Sequence, residues 1–240
     1  PLDPGEVLEA AKVAGVNKII CVGTDMQSSR DAVKFVTTHD NVFATLGVHP
    51  HEAKHGINGL KELLARPGLA KGKIVGIGEI GLDYYYNHSP KKIQIEILNQ
   101  QIELAIKHNL PISFHVREAF DDFWPIFDNF GGKLRGVLHS FTDNASNMKK
   151  GLARGLFIGI NGIATFNKDS ALMEVHQTLP LDRMLLETDA PFLAPPPFRS
   201  KVNQPSYIPK IVDFLVKLRG ETYEQIAAQT TANAEKLFHI

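Results

Sequence analysis

Five separated stretches of this chain each carry an apolar run into a residue that can bind a cation or move a proton. "NVFATLGV" leads to His49, "KIVGIG" to Glu79, "PISF" to His115, "GVL" to His139 and "RMLLET" to Asp189. Imidazole nitrogens and carboxylate oxygens converging on one point are the material of divalent-metal sites. Taken singly, each histidine reads as readily as a satisfied rim residue, and Glu79 as the partner of an arginine. Glu79 poses the sharpest question, because it and Asp83 interrupt the glycine-spaced apolar stretch "IVGIGEIGLDYYY". A carboxylate buried there needs a cation, a hydrogen-bond donor or a route to solvent, since an unpaired buried charge is strongly unfavourable.

Strand alternation extends the set. Side chains two apart share a face, so Arg117 is expected to point with His115, and Glu187 with Asp189. The planar guanidinium of Arg117 suits phosphate or carboxylate, and equally a plain structural ion pair. Of Glu187 and Asp189, one could bind metal and the other orient it. His39, His55, His108, His176 and His239 follow no strand and read as solvated residues without a role, while His51 and His88 lie in loops near the candidate face.

These residues are useful only if the elements bring them together. Seven short apolar runs read as strands and alternate with helical segments, starting from the helix "EVLEAAKVAG". Strands apolar on both faces are those of a parallel sheet covered by helices. The expected fold is α/β, a TIM (β/α)8 barrel of metal-dependent hydrolase type in one domain over residues 1–240, with its first strand missing; a doubly wound open sheet is the rival. In a barrel the C-terminal strand ends share one face, which would gather the five residues. The longest helix should open on Ser89-Pro90 as cap and first-turn pair, with an inward face of Ile95, Leu98, Ile102, Ala105 and Ile106. The helix in "EAFDDFWPIFDNF" should break near Pro125.

Composition narrows the function classes. Of 240 residues, 43% are hydrophobic and 22% charged, and the formal net charge is zero. That argues against a broad, non-specific duplex binder but leaves room for a pocket gripping one or two phosphates. Cys21, a lone cysteine in "KIICVG", excludes an intrachain disulfide, reads as a buried small hydrophobe and points to a reducing compartment. No run reaches membrane-span length and the first residues lack a signal-peptide pattern, so a cytoplasmic location and no membrane association are expected.

The stretches "GVHPH", "GEIGLDYYY", "PISFHVREA", "GVLHSFT", "LLETDAPFLAP" and "TTANAEKLF", in this order, resemble the TatD family of metal-dependent deoxyribonucleases from about residue 5 to the C-terminus. The resemblance implies two divalent metal ions and hydrolysis of DNA phosphodiesters. Mixed histidine and carboxylate ligands suit zinc, manganese or cobalt, with magnesium kept as an alternative; zero net charge favours DNA ends or short single strands as substrate, and no protein partner is evident. The resemblance implies that Glu79 touches or bridges the metals and that His115 and His139 bind one of them. It further implies that Asp189 binds metal and handles the proton of the attacking water, with His49 and Arg117 near the substrate phosphate. Asp83 and Tyr84 fall within a matched stretch without an assigned role, and Tyr84 to Tyr86 could stack a base or simply pack. The family opens on a strand ending in His-x-His, which this sequence lacks. A barrel short of a strand would leave two unpaired edges, so a preceding segment is expected. Two rival functions stand beside this one. The first is an amidohydrolase-like esterase, lactonase or phosphotriesterase, a group that often bridges its metals with a modified lysine where Glu79 stands here. The second is an inactive metal-binding barrel.

Overall fold

The computed structural model describes residues 2–66, 68, 70, 72–86 and 88–240. In chain order the elements are α1 (Pro4–Val13), β1 (Ile19–Val22), α2 (Met26–Val36), β2 (Val42–Leu46), α3 (Asn58–Leu64), β3 (Ile74–Asp83), α4 (Lys91–His108) and β4 (Ile112–Arg117). They continue with α5 (Phe120–Asn129), β5 (Gly136–Leu138), α6 (Ala145–Ala153), β6 (Phe157–Ile160), α7 (Ser170–Thr178), β7 (Met184–Leu186), α8 (Ile208–Arg219) and α9 (Tyr223–Phe238). All seven expected strands are present, alternating with helices. Two compact units result, one of residues 20–139 and 237–240, the other of residues 1–19 and 140–236.

In the first unit β2, β3, β4 and β5 pair in parallel, with Ile80 opposite Phe114 and Phe114 opposite Leu138. Ile77, Ile80, Ile112, Phe114 and Leu138 are buried beneath Leu98 and Ile102 of α4 and Phe123 of α5. Phe114 and Phe123 meet edge to face with centroids 5.1 Å apart, the geometry that suits the aromatic quadrupole. Helix α5 runs unbroken through Pro125. The proline removes a donor to the Asp121 carbonyl, but Asp121 is exposed, so the vacated acceptor is not stranded in the core. β1 departs from the expected two-sided burial: Val22 is 41% exposed and Cys21 half-buried, because β1 stands first in the strand order rather than inside it.

Helix α4 also differs from its sequence pattern. Ser89 does not cap it; its hydroxyl donates to the His51 carbonyl at 2.8 Å and accepts from the Lys54 N–H at 3.2 Å. The buried face carries two glutamines, Gln94 and Gln101, beside Leu98, Ile102 and Ala105, while Ile95 is only half-buried. Hydrophobic periodicity cannot see a polar side chain that is buried because it is bonded.

The second unit pairs β6 with β7 in parallel, Ile158 opposite Met184, over a core that includes Val175, Ile211, Leu215 and Ile226. Helices α1, α6 and α7 start on side-chain caps: Asp3 accepts from the Glu6 N–H, Asn144 from Asn147 and Asp169 from Ala171 and Leu172. His176, expected in solvent, is 2% exposed, with Nδ1 unpartnered and its ring edge-on to Phe214. Among the described residues no helix is long and apolar enough to cross a membrane.

Candidate metal centre

The unusual strand is β3. It continues past Gly78 to Asp83, so Glu79 lies inside it rather than at its end. The register slips between Ile77 and Ile80. Ahead of the slip the Ile77 N–H bonds the Pro111 carbonyl beside β4; within it the Glu79 N–H bonds the Gly23 carbonyl instead. Such an irregularity re-aims a side chain that regular pleating would send elsewhere.

Beyond the slip, Gly81 pairs with His115 of β4. Glu79 and Asp83 flank Gly81 by two residues each, on the same face. The glycine lets the His115 backbone approach closely, and the His115 imidazole reaches a carboxylate on either side. Its Nδ1 is 2.7 Å from Glu79 Oε1 and its Nε2 is 2.8 Å from Asp83 Oδ2. A Cβ at Gly81 would collide with the His115 carbonyl oxygen, and its φ of +155° disfavours any other residue. The stretch Glu79-Ile80-Gly81-Leu82-Asp83 is therefore a period-two frame for one histidine.

Glu79 is the hub. Its Oε1 also faces His49 Nε2 at 3.6 Å, and Oε2 faces His139 Nε2 at 3.9 Å. His49, Glu79 and His115 bring one potential ligand atom each within 4.8 Å of one another. His139 follows β5 directly, with its N–H on the Phe114 carbonyl. Asp83, 1% exposed, has its second oxygen busy too: Oδ1 accepts the N–H groups of Tyr85 and Tyr86 at 3.0 and 2.9 Å, while His51 Nε2 stands 3.1 Å from Oδ2.

Burial alone would protonate these carboxylates. Against it, His139, the bond from His115 and His49 hold Glu79 well below the ordinary carboxylate range. Burial likewise opposes ionisation of Asp83, and the His115 bond, the Tyr86 N–H and His51 overcome it. Burial and the neighbouring His115 push His49 down to about 3. Burial also lowers His51, despite Asp83. His115 goes the other way: burial disfavours its cation, but its bonds to Asp83 and Glu79 raise it above the usual value. Two anions and one readily protonated imidazole make a site that holds positive charge.

The backbone carrying these groups is clamped by α4. Gln101 accepts from the Val48 N–H at 2.7 Å and donates to the Val48 carbonyl at 3.0 Å, next to His49. One heptad earlier, Gln94 treats Asp83 identically, at 2.8 and 3.0 Å, and also bonds the Ser89 carbonyl.

The remaining expectations resolve variously. Arg117 lies over the rings of Tyr85 and Tyr86, at 4.0 and 4.9 Å from their centroids. In the other unit β7 ends at Leu186, and the Glu187 N–H still bonds the Ile160 carbonyl of β6. Glu187 accepts from the Ser140 N–H and packs on Gly159; Asp189 accepts the Phe192 N–H through its carbonyl at 2.7 Å. Sequence reasoning noticed Asp83 but gave it no role, and it passed over Gln94 and Gln101. The spacing Glu-x-Gly-x-Asp could have revealed the role of Asp83, whereas nothing in the chain marks the two glutamines.

The chain resembles known proteins along its whole length. A family model described as TatD related DNase matches residues 2–239. An uncharacterized metal-dependent hydrolase, YabD of Bacillus subtilis, is 38% identical over 99% of this chain and 93% of that protein. The 3'-5' ssDNA/RNA exonuclease TatD of Citrobacter rodentium is 36% identical over 99% of this chain and 92% of that protein. The crystal structure of the TatD homologue YJJV from Escherichia coli superimposes with a TM-score of 0.89 at 28% identity, covering 98% of this chain and 92% of that one. The fold class is accordingly the α/β TIM-barrel type expected from the sequence. With its motifs in order and a family match from end to end, this chain belongs to the TatD-related DNase family of metal-dependent hydrolases.

Proposed function

We infer that this chain hydrolyses phosphodiesters at the ends of single-stranded nucleic acid, using divalent cations. One observation carries the reading: a buried glutamate whose two oxygens face histidines from three different segments, His115 and His49 on one side and His139 on the other. A carboxylate so placed can be shared between two cations, and the mixed nitrogen and oxygen set suits zinc, manganese or cobalt better than magnesium. Bound there, a divalent cation would acidify water and neutralise charge on the phosphoryl oxygens.

The chain's own residues divide the remaining work. Asp83 accepts a hydrogen bond from His115 Nε2, which would leave Nδ1, beside Glu79, to hold a cation. His49 accepts the His51 N–H at Nδ1, so as a neutral imidazole it carries its proton on Nε2. It is thereby a hydrogen-bond donor aimed at the cluster, suited to a non-bridging phosphate oxygen. Arg117 is assigned to the phosphate, and Asp189 to metal binding and acceptance of the water's proton, on their motifs. Single-strand ends as substrate rest on the name of the Citrobacter relative and on a net charge of zero.

The test is metal-dependent release of nucleotides from a single-stranded oligonucleotide, run beside lactone and aryl-ester substrates. Turnover of the oligonucleotide should fall by more than about 10²-fold in Glu79→Gln and, separately, in Asp189→Asn, with folding intact. Activity confined to the lactone or ester would overturn the reading.

A further inference from the structure

The turn after β3 exposes aromatic surface next to the candidate metal centre. Tyr85 and Tyr86 are 53% and 44% exposed and adjacent, so their rings form one aromatic patch. They stand edge to face, centroids 4.7 Å apart, and the Arg117 guanidinium lies on both. Tyr84, by contrast, is tied down: its hydroxyl donates to Asp122 at 2.7 Å and Lys91 covers its ring at 3.9 Å. Anchoring of the turn thus needs neither of the two exposed rings.

Their placement is not left to the loop. The backbone N–H groups of both tyrosines bond Asp83 Oδ1, and the other oxygen of that carboxylate takes His115 and His51. One side chain therefore fixes the aromatic pair and the metal-facing histidine with respect to each other. Tyr86 also meets His51 edge-on at 5.6 Å and lies nearly parallel to His88. Such a shelf, with a guanidinium laid across it, takes flat π-systems in a sequence-tolerant way.

We propose that Tyr85 and Tyr86, backed by Arg117, form a stacking subsite for an unpaired nucleobase of the strand whose phosphodiester is held at the Glu79 cluster. The subsite rests on the phosphodiesterase reading for its position in the reaction, but its binding is measurable without turnover. It also accounts for a preference for single strands, since a base paired within a duplex cannot offer its face to the shelf.

The test is equilibrium binding of a short fluorescent oligodeoxythymidylate, followed by anisotropy in chelator, where no cleavage competes. Replacing both tyrosines by leucine keeps apolar surface and removes the π-faces; it should weaken binding about ten-fold or more. The paired Tyr→Phe variant should restore it. A strand whose terminal nucleotides lack bases should bind wild type and the leucine variant equally. Tyr85→Leu alone, at the more exposed ring, serves should the double variant fold poorly. Equal affinity of wild type and leucine variants for the intact strand, an equal loss on the base-free strand, or no binding by wild type would overturn the subsite. Absence of metal-dependent cleavage by a wild type that binds in this base-dependent manner would instead overturn the phosphodiesterase reading and leave the subsite standing.

Discussion

At the scale of single residues, Asp83 holds the centre together without facing the hub itself. It stands 2.8 Å from His115 Nε2 and bonds two backbone amides of the aromatic turn. Asparagine there would set an amide N–H₂ against one of its present donors and remove the negative charge beside His115. Asp83→Asn should lower zinc or manganese affinity about 10–100-fold in calorimetric titration while the fold survives. Unchanged affinity would reduce Asp83 to a turn-former. Gly81 makes the complementary point through what it lacks. Because a Cβ would meet the His115 carbonyl and the backbone sits at φ +155°, Gly81→Ala should cost about 3 kcal/mol or more in urea unfolding.

At the scale of elements, α4 is more than a cover for the sheet. Seven residues apart on one buried face, Gln94 and Gln101 replace missing ladder partners for Asp83 and Val48, at the points where β3 and the segment after β2 leave regular pairing. Removing either carboxamide strands a buried N–H and a buried carbonyl, each worth roughly 1–3 kcal/mol. Gln101→Ala should therefore lower stability by about 2–5 kcal/mol, and faster amide exchange at Val48 should accompany the loss. A variant as stable and as protected as wild type would show that water fills the clamp. Hydrophobic spacing located this helix well, but it favoured Ile95 for the inner face because it scores polarity and not hydrogen bonding.

At the scale of the whole molecule, acid stability has a source far from the chemistry in sequence. His176 is buried, and burial together with the Arg219 charge pushes it down to about 4. A histidine depressed in the folded state binds its proton more readily when unfolded. Its contribution is complete above the unfolded value near 6.5 and is lost as pH falls from there through about 4. The loss is on the order of 3 kcal/mol. Denaturation series across that window should show the decline in wild type and a shallower one in His176→Gln; parallel curves would exclude His176 as the source.

The order of strands and helices, the fold class and the strand-borne His49, Glu79, His115 and His139 that meet in the cluster were legible in the chain itself, because apolar period and strand-end polarity are local properties. The stretch around Glu79 even encoded its own solution, a glycine flanked at period two by carboxylates. Other features were decided only once the chain closed on itself: which imidazole nitrogen meets which oxygen, the burial of His176, the clamps from α4, and the seat of Arg117 on Tyr85 and Tyr86. Each of these joins residues far apart in sequence or turns on a hydrogen bond. The free energy of such contacts depends on distance and desolvation, which only tertiary packing supplies.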